Sequence, residues 1–272
     1  MKFLEANALA ITAVVAVFAL IQPWIFAAWR KYFRQGSIEI YQTGNLEIGY
    51  SGFGPTIGLN GTLRCIHRDL FVQTIQLELI KEKDSSKHSF DWGVFRSEKI
   101  TVGGQDQATF ELPCGFMLST SLPQRFNIQF HDTQVQSEMR QVVNKLSEEW
   151  SKVRSKSATD ELRKLSIENA SLPPQLPEPF LALYEGFSKS NVYLQSYESV
   201  VRTCYWEAGK YTLKMIVRTS KPDRSFEKYW DFALTEQETQ AIRLNVIKLL
   251  QDICGGPSYG PYSFAFPEYE SK

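Results

Sequence analysis

The chain has 272 residues, in which 30 Lys and Arg balance 30 Asp and Glu, with an isoelectric point near 6.8. That balance, with no basic stripe, argues against a nucleic-acid binder, which draws much of its affinity from cations facing phosphates. The length allows one large domain or two smaller ones, and 18 Phe with 12 Tyr suit a β-rich core.

In chain order, the first feature is the stretch from Ala6 to Trp29, which carries no charged side chain. Roughly 20 apolar residues at about 1.5 Å each match a hydrocarbon core about 30 Å thick, and the run exceeds the about 7–15 residues of a signal-peptide core. It predicts a transmembrane anchor within residues 1–35, with Trp24, Trp29, Arg30, Lys31 and Arg34 at the membrane interface. Arg30, Lys31 and Arg34 outnumber Lys2, so the positive-inside rule puts residues 36–272 in the cytoplasm; the reverse orientation would export them. Ala6, Ala10, Ala13 and Ala16 recur at steps of three or four and would suit helix pairing in the bilayer.

From Ser37 to Asp132 the period is two. Ile75, Leu77 and Leu79 alternate with polar neighbours, as do Phe126, Ile128 and Phe130, which predicts half-buried strands. Turn signals separate them at Gln42–Asn45, Gly52–Pro55, Asn60-Gly61, Lys83–Ser86 and Gly103–Asp106. The segment GTLRCIHRDLFVQTIQLELI resembles the strand pairs of immunoglobulin-like sandwiches; that resemblance implies an antiparallel β-sandwich over residues 36–132 and no particular function.

At Thr133 the period changes. Val135, Met139, Val142, Leu146 and Val153 form one stripe of an amphipathic helix. A proline-rich stretch, Ser171 to Pro179, then reads as an extended linker, so residues 133–179 are expected to be a helical spacer. Residues 180–272 predict a small α+β unit: a short helix in PFLALYEGF, a strand before the turn at Glu207–Lys210, and strands over Tyr211–Met215 and Phe226–Leu234. The W-x-x-G-x-Y-x-L pattern there resembles the penultimate strand of immunoglobulin-like modules. Thr235 and Glu238 form a capping box for a last helix, which stops at Gly255-Gly256-Pro257. An aromatic tail follows, and Tyr259, Tyr262, Phe264, Phe266 and Tyr269 are candidate partner contacts.

Candidate chemistry is sparse. Cys65, Cys114, Cys204 and Cys254 are far apart with no CxxC pair, so they read as reduced core residues in the cytoplasm; with the topology reversed, Cys65 and Cys114 would suit a disulfide. GFGPTIG, from Gly52 to Gly58, is out of register with the dinucleotide fingerprint and reads as a turn. Gly49–Phe53 lacks the second glycine of a nucleophile elbow. His67, His88 and His131 do not assemble a zinc ligand set with Cys65 by spacing, and a Cys114–His131 nucleophile pair competes with a structural reading of Cys114 beside Pro113. Glu148-Glu149 and Asp160-Glu161 read as solvated helix charges. The sequence therefore predicts no catalytic, metal or cofactor site. It points to a membrane-anchored, non-catalytic interaction or scaffold protein whose partners are the lipid bilayer and a protein or second copy. The alternatives are an enzyme whose site is assembled from distant residues, or an exported envelope binding module.

Overall fold

The computed structural model describes residues 18–29, 36–96, 100–102, 105–107, 110–157, 178–256 and 260–271. Residues 18–29 form helix α1. Strands β1 (Ser37–Gln42), β2 (Glu47–Ser51), β3 (Gly54–Ile66), β4 (Leu70–Lys81) and β5 (Lys87–Arg96) follow; β1 and β2 each pair antiparallel with β3, and β4 pairs antiparallel with β5. Short strands β6 (Ile100–Val102) and β7 (Gln105–Gln107) make a separate hairpin; β8 (Phe110–Glu111) and β9 (Phe116–Leu118) edge β5 and β4. β10 (Gln124–Asp132) inserts between β3 and β5. The chain then gives helices α2 (Thr133–Ser157), α3 (Glu178–Ser188) and α4 (Asn191–Thr203), the hairpin β11 (Gly209–Ser220) and β12 (Arg224–Leu234), helix α5 (Glu236–Cys254), and strand β13 (Tyr269–Ser271).

The mainly antiparallel β character expected from the period-two segments is present. Among the described residues the strands join in an 11-stranded sheet with the order β1-β3-β10-β5-β4-β11-β12-β13. The sheet curls until its ends meet. At one end of the seam Arg224 Nη1 donates to the Gly36 carbonyl at 2.8 Å, and at the other the Tyr269 hydroxyl donates to the Gly44 carbonyl at 2.9 Å. Arg224 opens β12 and Tyr269 belongs to β13, the strand paired with β12, so the β12–β13 end of the sheet lies against its β1 end. Curling of this kind removes exposed strand edges, which otherwise invite pairing with other chains.

The two β-rich units expected on either side of residues 133–179 are therefore one fold. β11 pairs with β4 from Tyr211–Lys81 to Ser220–Phe71, and one hydrophobic core runs from Ile38 to Ala265. Hydrogen bonding is continuous across residues 36–132 into β11, so the strands assigned to an immunoglobulin-like unit form part of a larger sheet. α2 is a core element rather than a spacer: Met139, Leu146 and Trp150 are buried, with Val135, Val142 and Val153 packed alongside. Trp150 meets Phe180 and Phe187 of α3 at ring-centroid distances of 5.6 and 5.1 Å.

Two local readings change. The strand expected before the Glu207 turn is helix α4, capped by the Ser190 hydroxyl, which accepts from the Tyr193 amide. Its buried residues Tyr193, Ser196, Val200 and Thr203 fall at helical spacing, so burial overrides the β-branched and aromatic content. The Asn60-Gly61 turn is instead the middle of β3. Gly61 is there because a Cβ would collide with the Tyr41 carbonyl and the Phe126 ring.

The single membrane span is overturned as well. No helix of the described residues is long and apolar enough to cross a membrane. Helix α1 covers residues 18–29, about 18 Å at about 1.5 Å per residue, against a hydrocarbon core of about 30 Å. The single-pass anchor, and the cytoplasmic placement of residues 36–272 deduced from it, lose their basis. Hydropathy scores the transfer preference of side chains, which is not the length of continuous helix. Residues 1–17 of the expected span lie outside the described residues.

Candidate functional site

The sequence-predicted contact residues do not converge. Trp24 and Trp29 sit on α1, 78% and 54% exposed, while Arg30, Lys31, Arg34 and Tyr259 lie outside the described residues. The tail packs back on its own fold. Ile48 and Ala265 exchange backbone hydrogen bonds at 2.9 and 2.8 Å. The Tyr262 hydroxyl donates to Asp252 at 2.8 Å, and the Phe264 ring fills the space a Gly49 side chain would need. Tyr269 latches the seam. Phe266 keeps 55% of its surface exposed.

The candidate chemistry is dispersed too. Cys114 is exposed while His131 is buried. GFGPTIG is the β2–β3 turn running into β3, with Gly54 at φ +90°. Among the described residues no group of three or more His, Cys, Asp and Glu is placed to hold a metal ion.

What the fold does assemble is a cleft of about 500 Å3 between β5, the β10–α2 junction, α2 and α4. Its base is Asp132, the residue at which strand gives way to helix. The Asp132 carboxylate caps α2: Oδ1 accepts from the amides of Gln134 and Val135 at 3.1 and 3.2 Å. An N-terminal carboxylate also opposes the positive end of the helix dipole. Its Oδ2 accepts from the Tyr205 hydroxyl at 3.0 Å and lies 3.7 Å from His88 Nδ1. His88 and Tyr205 stack with ring centroids 3.7 Å apart and planes 15° from parallel, forming an aromatic wall.

The electrostatics follow from this packing. Burial pushes the Asp132 pKa up, but His88, the Val135 amide and the Tyr205 hydroxyl outweigh it and hold the carboxyl below its usual value. Burial and the Asp132 charge push the Tyr205 hydroxyl up, so it stays a proton donor. Glu138 on α2 and Arg202 on α4 bring opposite charges to the two banks, with Gln134, Gln141 and Ser199 among the lining. The hydroxyls are committed to backbone: Ser199 donates to Gln195 O at 2.9 Å and Thr203 to Val200 O at 2.7 Å.

Sequence reasoning missed this constellation because its members come from three separated segments, around residues 88, 132–142 and 199–205. One signal was available, an Asp placed immediately before the change from period two to helical period, which marks a helix N-cap. Replacing Asp132 with Ala should cost about 2–4 kcal/mol, from a lost cap of about 1 kcal/mol and a stranded Tyr205 hydroxyl worth about 1–3 kcal/mol. Asp132→Asn retains a capping oxygen and should cost clearly less. Urea midpoints check both; equal losses would show that the cap contributes nothing.

Comparison with protein-family models gives no match, and comparison with curated proteins and with solved structures gives none.

Proposed function

We propose that the protein is a non-catalytic binding module and that the α2–α4 cleft is its ligand site. The observation that carries this reading is Asp132, which ties the start of α2, the Tyr205 hydroxyl and His88 to a single carboxylate. That network fixes the shape of the cleft before a ligand arrives, and preorganisation of this kind lowers the entropic cost of binding. The charges on the banks name the ligand class. Glu138 offers a carboxylate from one helix and Arg202 a guanidinium from the other, and the stacked His88 and Tyr205 rings share the lining. A small zwitterion with an ammonium at one end and a carboxylate at the other, such as an α-amino acid, satisfies both.

The test is a thermal-denaturation series on the full chain with a panel of free L-amino acids. A binder should raise the melting temperature in a saturable way, since ligand at about 100 times its Kd adds about 2.7 kcal/mol. Glu138→Gln and Arg202→Gln should each weaken that binding at least tenfold. No binder in the panel, or a binder indifferent to both variants, overturns the reading.

A second reading has one observation in its favour. His88 beside a buried Asp132 has the arrangement of an acid–base histidine oriented by a carboxylate. Recovery of the bound amino acid unchanged after prolonged incubation supports the binding module; its chemical conversion, lost in His88→Asn, supports the enzyme.

A further inference from the structure

On the opposite face of the sheet the structure assigns a second ligand site, a donor-lined cavity over β3 and β10 that accepts an oxyanion, either a carboxylate or a phosphoryl group. Side chains alternate along a strand, so Arg125 and Asn127 of β10 project away from the face that carries Asp132. The strand registers then set them in rows. Tyr41, Thr62 and Arg125 are partners across β1, β3 and β10, and Asn60 is the partner of Asn127. Thr43 from the β1–β2 loop and Arg96 from β5 complete a cavity of about 620 Å3.

Among the described residues its polar lining consists of two guanidiniums, two carboxamides and two hydroxyls. Glu47 takes both terminal nitrogens of Arg96, at 3.0 and 2.8 Å. That pairing holds the guanidinium beside Gly58, where an added Cβ would come within 3.0 Å of Arg96 Nη2 and within 3.0 Å of Glu47 Cβ. A second observation points to a missing acceptor. Arg96 Nε is buried with no hydrogen-bond partner, and an unsatisfied buried donor on a charged group is costly. An oxyanion would supply acceptors for the amides, the hydroxyls and the guanidinium edge together, and charge-assisted bonds of this type are roughly twice as strong as neutral ones.

The experiment is calorimetric titration of the full chain with inorganic phosphate and, separately, with acetate at matched ionic strength. Saturable binding of at least one anion is expected. Preference for phosphate by tenfold or more assigns a phosphoryl ligand, and the converse assigns a carboxylate. Asn127→Asp, which adds a negative charge without changing size, should weaken binding at least tenfold with the melting temperature maintained. Thr62→Val, which removes one hydroxyl, should weaken it by a smaller factor and serves if the Asp variant does not fold. Glu138→Gln and Arg202→Gln in the α2–α4 cleft should leave anion binding unchanged, which keeps the two sites distinguishable. Failure of both anions to bind, or undiminished binding in the folded Asn127→Asp or Thr62→Val protein, overturns the assignment.

Discussion

Asn245→Ala should lower stability by about 3–5 kcal/mol and free the C-terminal segment from the sheet. Asn245 lies on α5 with no exposed surface. Its Nδ2 donates to the Ser263 carbonyl at 2.7 Å and to the Tyr50 carbonyl at 3.2 Å, and its Oδ1 accepts from the Ser263 amide at 2.8 Å. One side chain thereby joins a helix, strand β2 and the tail. Truncation strands backbone groups that water cannot reach, at about 1–3 kcal/mol each, and leaves a cavity besides. The tail's other holds include the Ile48–Ala265 bridge, Tyr262 on Asp252, Tyr269 on Gly44 and the short pairing of β13 with β12. Urea denaturation gives the stability loss, and hydrogen exchange at the Ala265 amide reports release of the tail. Deleting residues 257–272 removes the two Ser263 bonds while leaving Asn245 on the Tyr50 carbonyl, and it should also lower stability. A loss below about 0.5 kcal/mol, the scale of an ordinary surface substitution, would mean that Asn245 does not hold the tail.

The second large effect is an acid sensitivity that comes from His131. Its side chain is buried against Phe53, at a ring-centroid distance of 4.8 Å, and Gly93, where any Cβ would collide with the imidazole. Its Nδ1 has no hydrogen-bond partner. Burial, with the positive charge of Arg96 adding to it, pushes its pKa down from 6.5 to about 4. In the unfolded chain the imidazole takes up a proton below about pH 6.5, while the folded protein resists protonation until about pH 4. The unfolded state therefore binds more protons throughout that window, and stability falls as the pH is lowered through it. The fall from 6.5 to about 4 corresponds to about 3 kcal/mol lost between pH 7 and pH 4. Asp132 acts in a lower range. Its folded pKa is depressed, so its contribution is present above the unfolded value of about 3.9 and disappears as the pH falls through the folded one. His131→Leu should flatten stability between pH 4 and pH 6.5, at little or no cost near neutrality, because it removes a buried nitrogen that has no partner. Stability measured by urea at half-unit pH intervals decides this. A slope unchanged in the Leu variant would assign the acid sensitivity elsewhere.

Local sequence determined the elements whose stabilising contacts are local. The Thr235–Glu238 capping box forms as read, with the Thr235 amide donating to Glu238 at 2.8 Å, and Gly255 ends the same helix at φ +60°. These contacts span three residues or one backbone angle, so neighbours in the chain suffice to encode them. The stripe of α2 and the alternation of β4 and β10 were equally legible, since burial on one face leaves a periodic trace.

Tertiary structure alone decided the rest. Leu79 and Leu213 are sheet partners, yet nothing near either residue names the other. The two halves therefore read as separate units until the strands were seen to pair. In α4, Val192, Tyr193, Val200 and Val201 suit a strand by composition, and the core selected the helix by burying every third or fourth residue. At the apolar start of the chain, no helix among the described residues is long and apolar enough to cross a membrane. The cleft was least legible of all. His88, Asp132, Glu138, Arg202 and Tyr205 acquire a joint meaning from a curled sheet that brings β5 and β10 against α2 and α4. Chemistry at such a site depends on distances in space, and sequence records distances only along the chain.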